Sequence, residues 1–152
     1  MTTQPRPEPA DFAQRVRDSF ARQGAMQTLG ARLARLEPGA VDIELDWALG
    51  LTQQHGFLHA GMVSTALDSA CGYAALTQMA PDAAVLSIEF KVNLMAVAKG
   101  QRFRMEGRVV KAGRTVSFAE GRAFAIDEGN EKLIATMSCT LMAVTGRAGI
   151  QH

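Results

Sequence analysis

The sequence predicts an α+β fold, a six-stranded antiparallel sheet wrapped around one long buried helix, preceded by a short N-terminal helix. Two observations carry this prediction. Ala60 to Met79 is apolar almost all round (Met62, Val63, Ala66, Leu67, Ala70, Cys71) with no proline before Pro81, and a helix apolar on every side must be enclosed. Beyond Pro81 the chain alternates strictly: Ile88, Phe90, Val92 and Leu94 interleave with Ser87, Glu89, Lys91 and Asn93, and the runs 103–109, 116–126 and 133–144 repeat the pattern between turn sequences.

In chain order, residues 1–10 hold three of the five prolines and are expected to form a mobile arm. From Asp11, a candidate N-cap, Phe12, Val16 and Phe20 recur at four-residue spacing opposite Arg15, Asp18 and Arg22, with Gly24 as the stop. Residues 32–37 and 41–47 alternate about the turn Pro38-Gly39 and read as a hairpin. The long helix comes next, then four strands joined by Ala112-Gly113 and by residues 127–130. Residues 11–146 thus form one domain, with 147–152 as a tail. The outer strands of such a sheet need covering or pairing with another subunit.

Composition narrows the function classes. Apolar residues make up 47% of the 152 and charged residues 20%, as in globular proteins. Sixteen basic against fifteen acidic residues leave a formal charge of +1, so nothing recommends nucleic acid or an anionic membrane as partner. Cys71 and Cys139 sit in apolar segments without a C-x-x-C pattern, which suits a reducing cytoplasm. The first residues lack the apolar core of a secretory signal, and the uncharged stretch 47–67 is too polar and too rich in glycine for a membrane span.

The chemistry concentrates in 51–72, L-T-Q-Q-H-G-F-L-H-A-G-M-V-S-T-A-L-D-S-A-C-G, where a glycine-bearing loop enters the buried helix. The helix start should leave the amides of Ala60 and Gly61 pointing outward at the positive end of the dipole, an acceptor site for a developing oxyanion. Asp68 is the only acidic or basic residue, histidine aside, between Asp46 and Asp82. A buried carboxylate needs a partner or a purpose. The plain structural account has Ser64 and Thr65, four and three residues back, satisfying it. The functional account runs into geometry: at ~1.5 Å rise per residue the eight steps from Ala60 carry Asp68 ~12 Å along the axis and onto a different face. One chain therefore cannot apply both to one substrate group, whereas a two-fold dimer can oppose one subunit's helix start to the middle of the partner's helix.

These residues resemble the hotdog-fold acyl-CoA thioesterases, specifically the PaaI-like subgroup of phenylacetate-degradation thioesterases. The resemblance spans roughly 29–144 and rests on the element order and on H-A-G at 59–61 followed by an aspartate nine positions after His59. It implies that the Ala60 amide polarises the thioester carbonyl while Asp68 of the other subunit acts as base or nucleophile. Where the family carries Asn six positions before the motif histidine, this chain has Gln53, one methylene longer and with Gln54 beside it; where the family carries H-G-G, Ala60 adds a methyl group. Ser87 takes the place of the family's hydroxyl residue on the strand after the helix, which assists the water. Catalytic roles thus fall on Asp68, Ala60, Gln53, His59 and Ser87, and substrate binding on Gln54, Gly61, Thr65, Lys111 and Arg114. The resemblance further implies an acyl-CoA substrate, a homodimer or dimer of dimers with composite sites, and no cofactor beyond the coenzyme A of the substrate.

Other residues admit duller readings. His55 and His59 lie in a glycine-broken loop without a third ligand, so no metal is expected and His59 reads as a hydrogen-bonder that organises the loop. Cys71 on an apolar helix reads as packing. The basic residues from Lys99 to Arg122 suit a solvated strand face, except that Lys111 and Arg114 flank a tight turn where the phosphates of coenzyme A could dock. Two competing functions remain open: a hydratase or dehydratase using His55 or His59 with Asp68, and a non-catalytic acyl-CoA-binding module.

Overall fold

The computed structural model describes residues 9–152. Most of the expected N-terminal arm, residues 1–8, lies outside the described residues. Helix α1 spans Pro9–Arg22, so Asp11 is inside the helix rather than its N-cap; proline suits a first turn, whose N–H groups have no intrahelical acceptor. Phe12 and Val16 are buried as their spacing predicts. Gly24 does not end the helical region but opens a second helix, α2 (Gly24–Leu29), which stops at Gly30 in the left-handed conformation at φ 63°.

Strands β1 (Arg32–Glu37) and β2 (Ala40–Asp46) form the expected hairpin around Gly39. A 3₁₀ turn (Leu49–Leu51) and a loop lead into α3 (Ala60–Leu76), three residues shorter than its apolar pattern suggests. It stops where the Arg15 guanidinium donates to the carbonyls of Leu76 (2.7 Å), Met79 (3.2 Å) and Ala80 (2.6 Å), taking up helix-end acceptors. Strands β3 (Ala84–Leu94), β4 (Arg102–Lys111), β5 (Val116–Asp127) and β6 (Asn130–Val144) complete the chain. All pair antiparallel in the order β1-β2-β4-β5-β6-β3, so the strand directly after the helix lies at one edge of the sheet.

The helix rests on the sheet because the sheet is hollowed beneath it. Gly107 on β4 and Gly121 on β5 are cross-strand partners. A Cβ on Gly107 would stand 2.3 Å from the carbonyl oxygen of Ala70, and one on Gly121 would meet Leu67 and Cys71 at 3.0 and 3.1 Å. Around this contact Leu67, Phe103, Met105, Ile134 and Leu141 form the fully buried core. Gly107→Ala therefore has to lift the helix or bend the strand, and we expect a loss of about 3 kcal/mol, the top of the overpacking range, in urea denaturation. A variant as stable as the parent would show that the contact is compliant.

Strict alternation fails in one place on β3. Ser87 pairs with Leu141 and Glu89 with the next residue back, Thr140, so Ile88 is an extra, bulged residue. The bulge puts Ser87 on the helix side of the sheet together with Phe90, Val92 and Leu94. As an edge strand β3 remains uncovered: Ile88 is 52%, Phe90 44% and Leu94 56% exposed.

Candidate active site

The loop before α3 is fastened at several points. Trp47 Nε1 donates to the Gly56 carbonyl (2.9 Å), Gln53 N–H to that of Phe57 (2.9 Å), Leu58 N–H to that of Ala98 (3.1 Å) and His59 N–H to that of Leu51 (2.9 Å). His59 is the N-cap, with extended backbone, and its Nδ1 accepts the Gly61 N–H at 2.8 Å. Its carbonyl accepts the N–H groups of Met62 and Val63 (2.9 and 3.2 Å). Gly61 was expected to present an outward amide, and the cap corrects this: that N–H turns to the imidazole. The Ala60 N–H takes part in no hydrogen bond among the described residues, which makes it the donor left for a ligand at this helix start.

Ala60 borders a cleft of about 400 Å³ with Gln53, Phe57, Val63 and the apolar residues Leu94 and Val97. Gln53 Oε1 accepts the His55 N–H, which leaves the Gln53 amide group as its donor. Gln54 is exposed and does not line the cleft.

Asp68 lies elsewhere, half-buried in the middle of α3. Its Oδ1 accepts a hydrogen bond from Ser87 Oγ at 2.6 Å and a weak one from Cys139 Sγ at 3.8 Å. Burial and the neighbouring carboxylate push the Cys139 thiol up to about 12, so it is the protonated donor. Ser64 and Thr65 do not satisfy Asp68; their hydroxyls donate to the carbonyls of Ala60 (2.9 Å) and Gly61 (2.8 Å) one turn back. The Thr65 hydroxyl is thereby committed to helix backbone. Asp68 and Ser87 border a second cavity of about 240 Å³ with Ser69, Gly72, Gln23 and His152. The two cavities have no lining residue in common.

The structure thus brings Gln53 to Ala60, and Ser87 to Asp68, but leaves the two pairs apart within one chain. Lys111 and Arg114 join neither. They lie where β4 turns into β5, the end of the sheet that packs beside the C-terminus of α3, since Gly39 N–H bonds Thr77 Oγ1 and Ala40 pairs with Arg108. Of the other basic residues, Arg104 bonds Glu106 and Glu131, Arg108 holds Asp42 at 2.6 Å, and Arg122 lies over the Phe124 ring. Lys111 and Arg114 have no ion pair among the described residues. Cys71 is buried and its thiol is held well above the ordinary range by desolvation, so it is unsuited to act as a nucleophile. Gln23, Cys139 and His152 escaped the sequence reading as site residues, because only the folded chain brings them to Asp68; Gly72 escaped it too, although helical spacing alone puts it one turn after Asp68.

A single six-stranded antiparallel sheet curled around one central helix is the hotdog fold. The chain belongs to the thioesterase superfamily, whose family model matches residues 55–132. It is similar to a thioesterase family protein from Silicibacter pomeroyi, with 57% identity over 89% of this chain and 99% of that one at a TM-score of 0.88. It shares its fold with the Escherichia coli PaaI protein of the phenylacetic acid degradation operon, at 13% identity over 91% of this chain and 96% of that one with a TM-score of 0.80. A Saccharolobus solfataricus protein that carries the name of an esterase is 32% identical over 93 residues, 60% of this chain and 65% of that relative, so the match spans just under two thirds of that relative's length. Among the described residues no helix is long and apolar enough to cross a membrane.

Proposed function

We propose that the protein hydrolyses small to medium hydrophobic or aromatic acyl-CoA thioesters to the free acid and coenzyme A, as a homodimer with two composite sites. The observation that carries this is the division of the machinery: the unpartnered Ala60 N–H and the Asp68 carboxylate border separate cavities, ~12 Å apart along the helix axis. The open edge of β3 supports a dimer that closes the gap. A second copy pairing there continues the sheet, covers Ile88, Phe90 and Leu94, and sets the two α3 helices side by side.

In such a site the thioester oxygen sits on the Ala60 N–H of one protomer, with the amide of Gln53 beside it. The Asp68 carboxylate of the partner subunit, with Oδ1 held by Ser87, either takes a proton from the attacking water or attacks the carbonyl carbon itself. On the first route the C–S bond then breaks and the proton held by Asp68 passes to the thiolate. On the second the C–S bond breaks as an acyl–Asp68 anhydride forms, and a water then hydrolyses that anhydride, freeing the acid and supplying the proton with which coenzyme A leaves as the thiol. His59 shapes the helix start by holding Gly61, and no cofactor is needed beyond the coenzyme A that the substrate brings. Lys111 and Arg114, free of carboxylate partners among the described residues, are the cations we assign to its phosphates. Two buried, reduced cysteines suit a cytoplasmic setting.

The test is a panel of acyl-CoAs of increasing chain length, with an aromatic member, monitored by release of free thiol. Stoichiometric thiol with at least one member is the expected result. Tight binding without thiol release, or loss of enoyl-CoA absorbance without thiol, would replace hydrolysis by a binding or hydration function.

A further inference from the structure

We propose that Gly72 sets the bulk of the acyl group this enzyme admits, by leaving the Asp68 cavity one side chain wider than a stable helix would make it. The inference rests on the hydrolytic function proposed above. Glycine is the least favourable residue after proline in a helix interior, and Gly72 is the one glycine of α3 beyond its first turn, in a half of the helix that carries alanine at 66, 70, 74 and 75. Glycines elsewhere against this helix have a packing reason: a Cβ on Gly107 would strike the backbone of Ala70 at 2.3 Å. Gly72 has none. A Cβ there meets only Leu141 Cδ2 at 3.8 Å, an ordinary contact, and its backbone is not in the left-handed region that would call for glycine.

What Gly72 does have is position. It lies four residues after Asp68, hence one turn along the same face, and it borders the cavity that holds Asp68 and Ser87. That cavity measures about 240 Å³. A cavity of about 150 Å³ is enough to hold benzene, so a single ring on a short linker finds room beside the carboxylate. A methyl group on residue 72 takes its volume from this space. With Asp68 acting at the carbonyl carbon, the group placed beside it is the acyl group, and residue 72 is the wall that limits it.

Gly72→Ala in the full chain tests this, with kcat/KM measured by thiol release for phenylacetyl-CoA and for acetyl-CoA, and thermal melting in parallel. Removing a helical glycine should raise Tm by about 2–4 °C, which also shows that the variant folds. The ratio of kcat/KM for phenylacetyl-CoA to that for acetyl-CoA should fall at least ~10-fold, as one methylene of misfit in a pocket discriminates by about 10–200-fold. Gly72→Val should lower the ratio further. A ratio within twofold of the parent in an active, folded variant overturns the inference and leaves thioester hydrolysis intact. An equal rise in KM for both substrates also overturns it, because the cavity would then hold the pantetheine arm common to both. A parent enzyme that releases no thiol from any member of the panel removes the function itself, a different result from an unchanged ratio.

Discussion

Asp68→Asn should lower kcat for thiol release by about 10²- to 10⁴-fold, the range that a positioned general base contributes, while the protein folds and elutes as the parent does. The substitution is close to isosteric. Asparagine still offers an oxygen to the Ser87 hydroxyl that now lies 2.6 Å from Asp68 Oδ1, so the local hydrogen bond survives and only the carboxylate's charge and its second oxygen are lost. Because Ser64 and Thr65 bond their own helix backbone, no other side chain on that face depends on the charge. A purely structural aspartate, neutralised in this way, would change stability and leave turnover alone. Turnover within threefold of the parent, in a variant with unchanged melting, would end Asp68's role in the reaction and with it the mechanism proposed for this fold.

That Asp68 stood out in the sequence at all reflects a property of helices. A charge in a segment apolar on every side is costly to bury, so its presence is informative before any coordinates exist. The same logic exposed the enclosing sheet, since period-two alternation reports the faces of strands directly. Three features were not legible, each for a physical reason. The bulge at Ile88 inserts one residue into one strand, and nothing in the alternation of residues 87–94 marks where the ladder slips, yet it is the slip that aims Ser87 at Asp68. The Gly61 amide looked free because a helix start ordinarily leaves it so; the ring of His59, two residues back, claims it only in the extended conformation the loop imposes. Gln23 and His152 border the acid cavity from positions 45 and more residues away, where tertiary packing alone decides. Lys111 and Arg114 illustrate the reverse case, in which a local charge pattern singles out residues that one chain does not bring near either half-site.

Ala60→Pro should cost about 10²- to 10³-fold in kcat, the loss found on removing one oxyanion donor, and mixing this variant with Asp68→Asn should restore activity. Proline is a clean deletion of the donor here. Position 60 is the first residue of α3, where proline is favoured because the N–H has no intrahelical acceptor, and its fixed φ suits the helix. The residue before a proline must be extended, and His59 already is, at φ −63° and ψ 138°. The N-cap bond from Gly61 N–H to His59 Nδ1 does not involve the Ala60 amide, so the helix start should persist. Each variant alone has every site impaired. If the subunits exchange at random in an equal mixture, about half of the dimers carry one chain of each kind, and each of these has one site with both defects and one site with neither. Activity should therefore return to about a quarter of the parent value, from a baseline of at most about one hundredth. Co-expression with two affinity tags and isolation of the mixed dimer raises the expected value to about half. A site contained within one chain predicts something else: the mixed dimer would hold one defect in every site and stay as inactive as its parents. Mixed dimers without recovered thiol release would therefore refute the shared site, even if both single variants are impaired as expected.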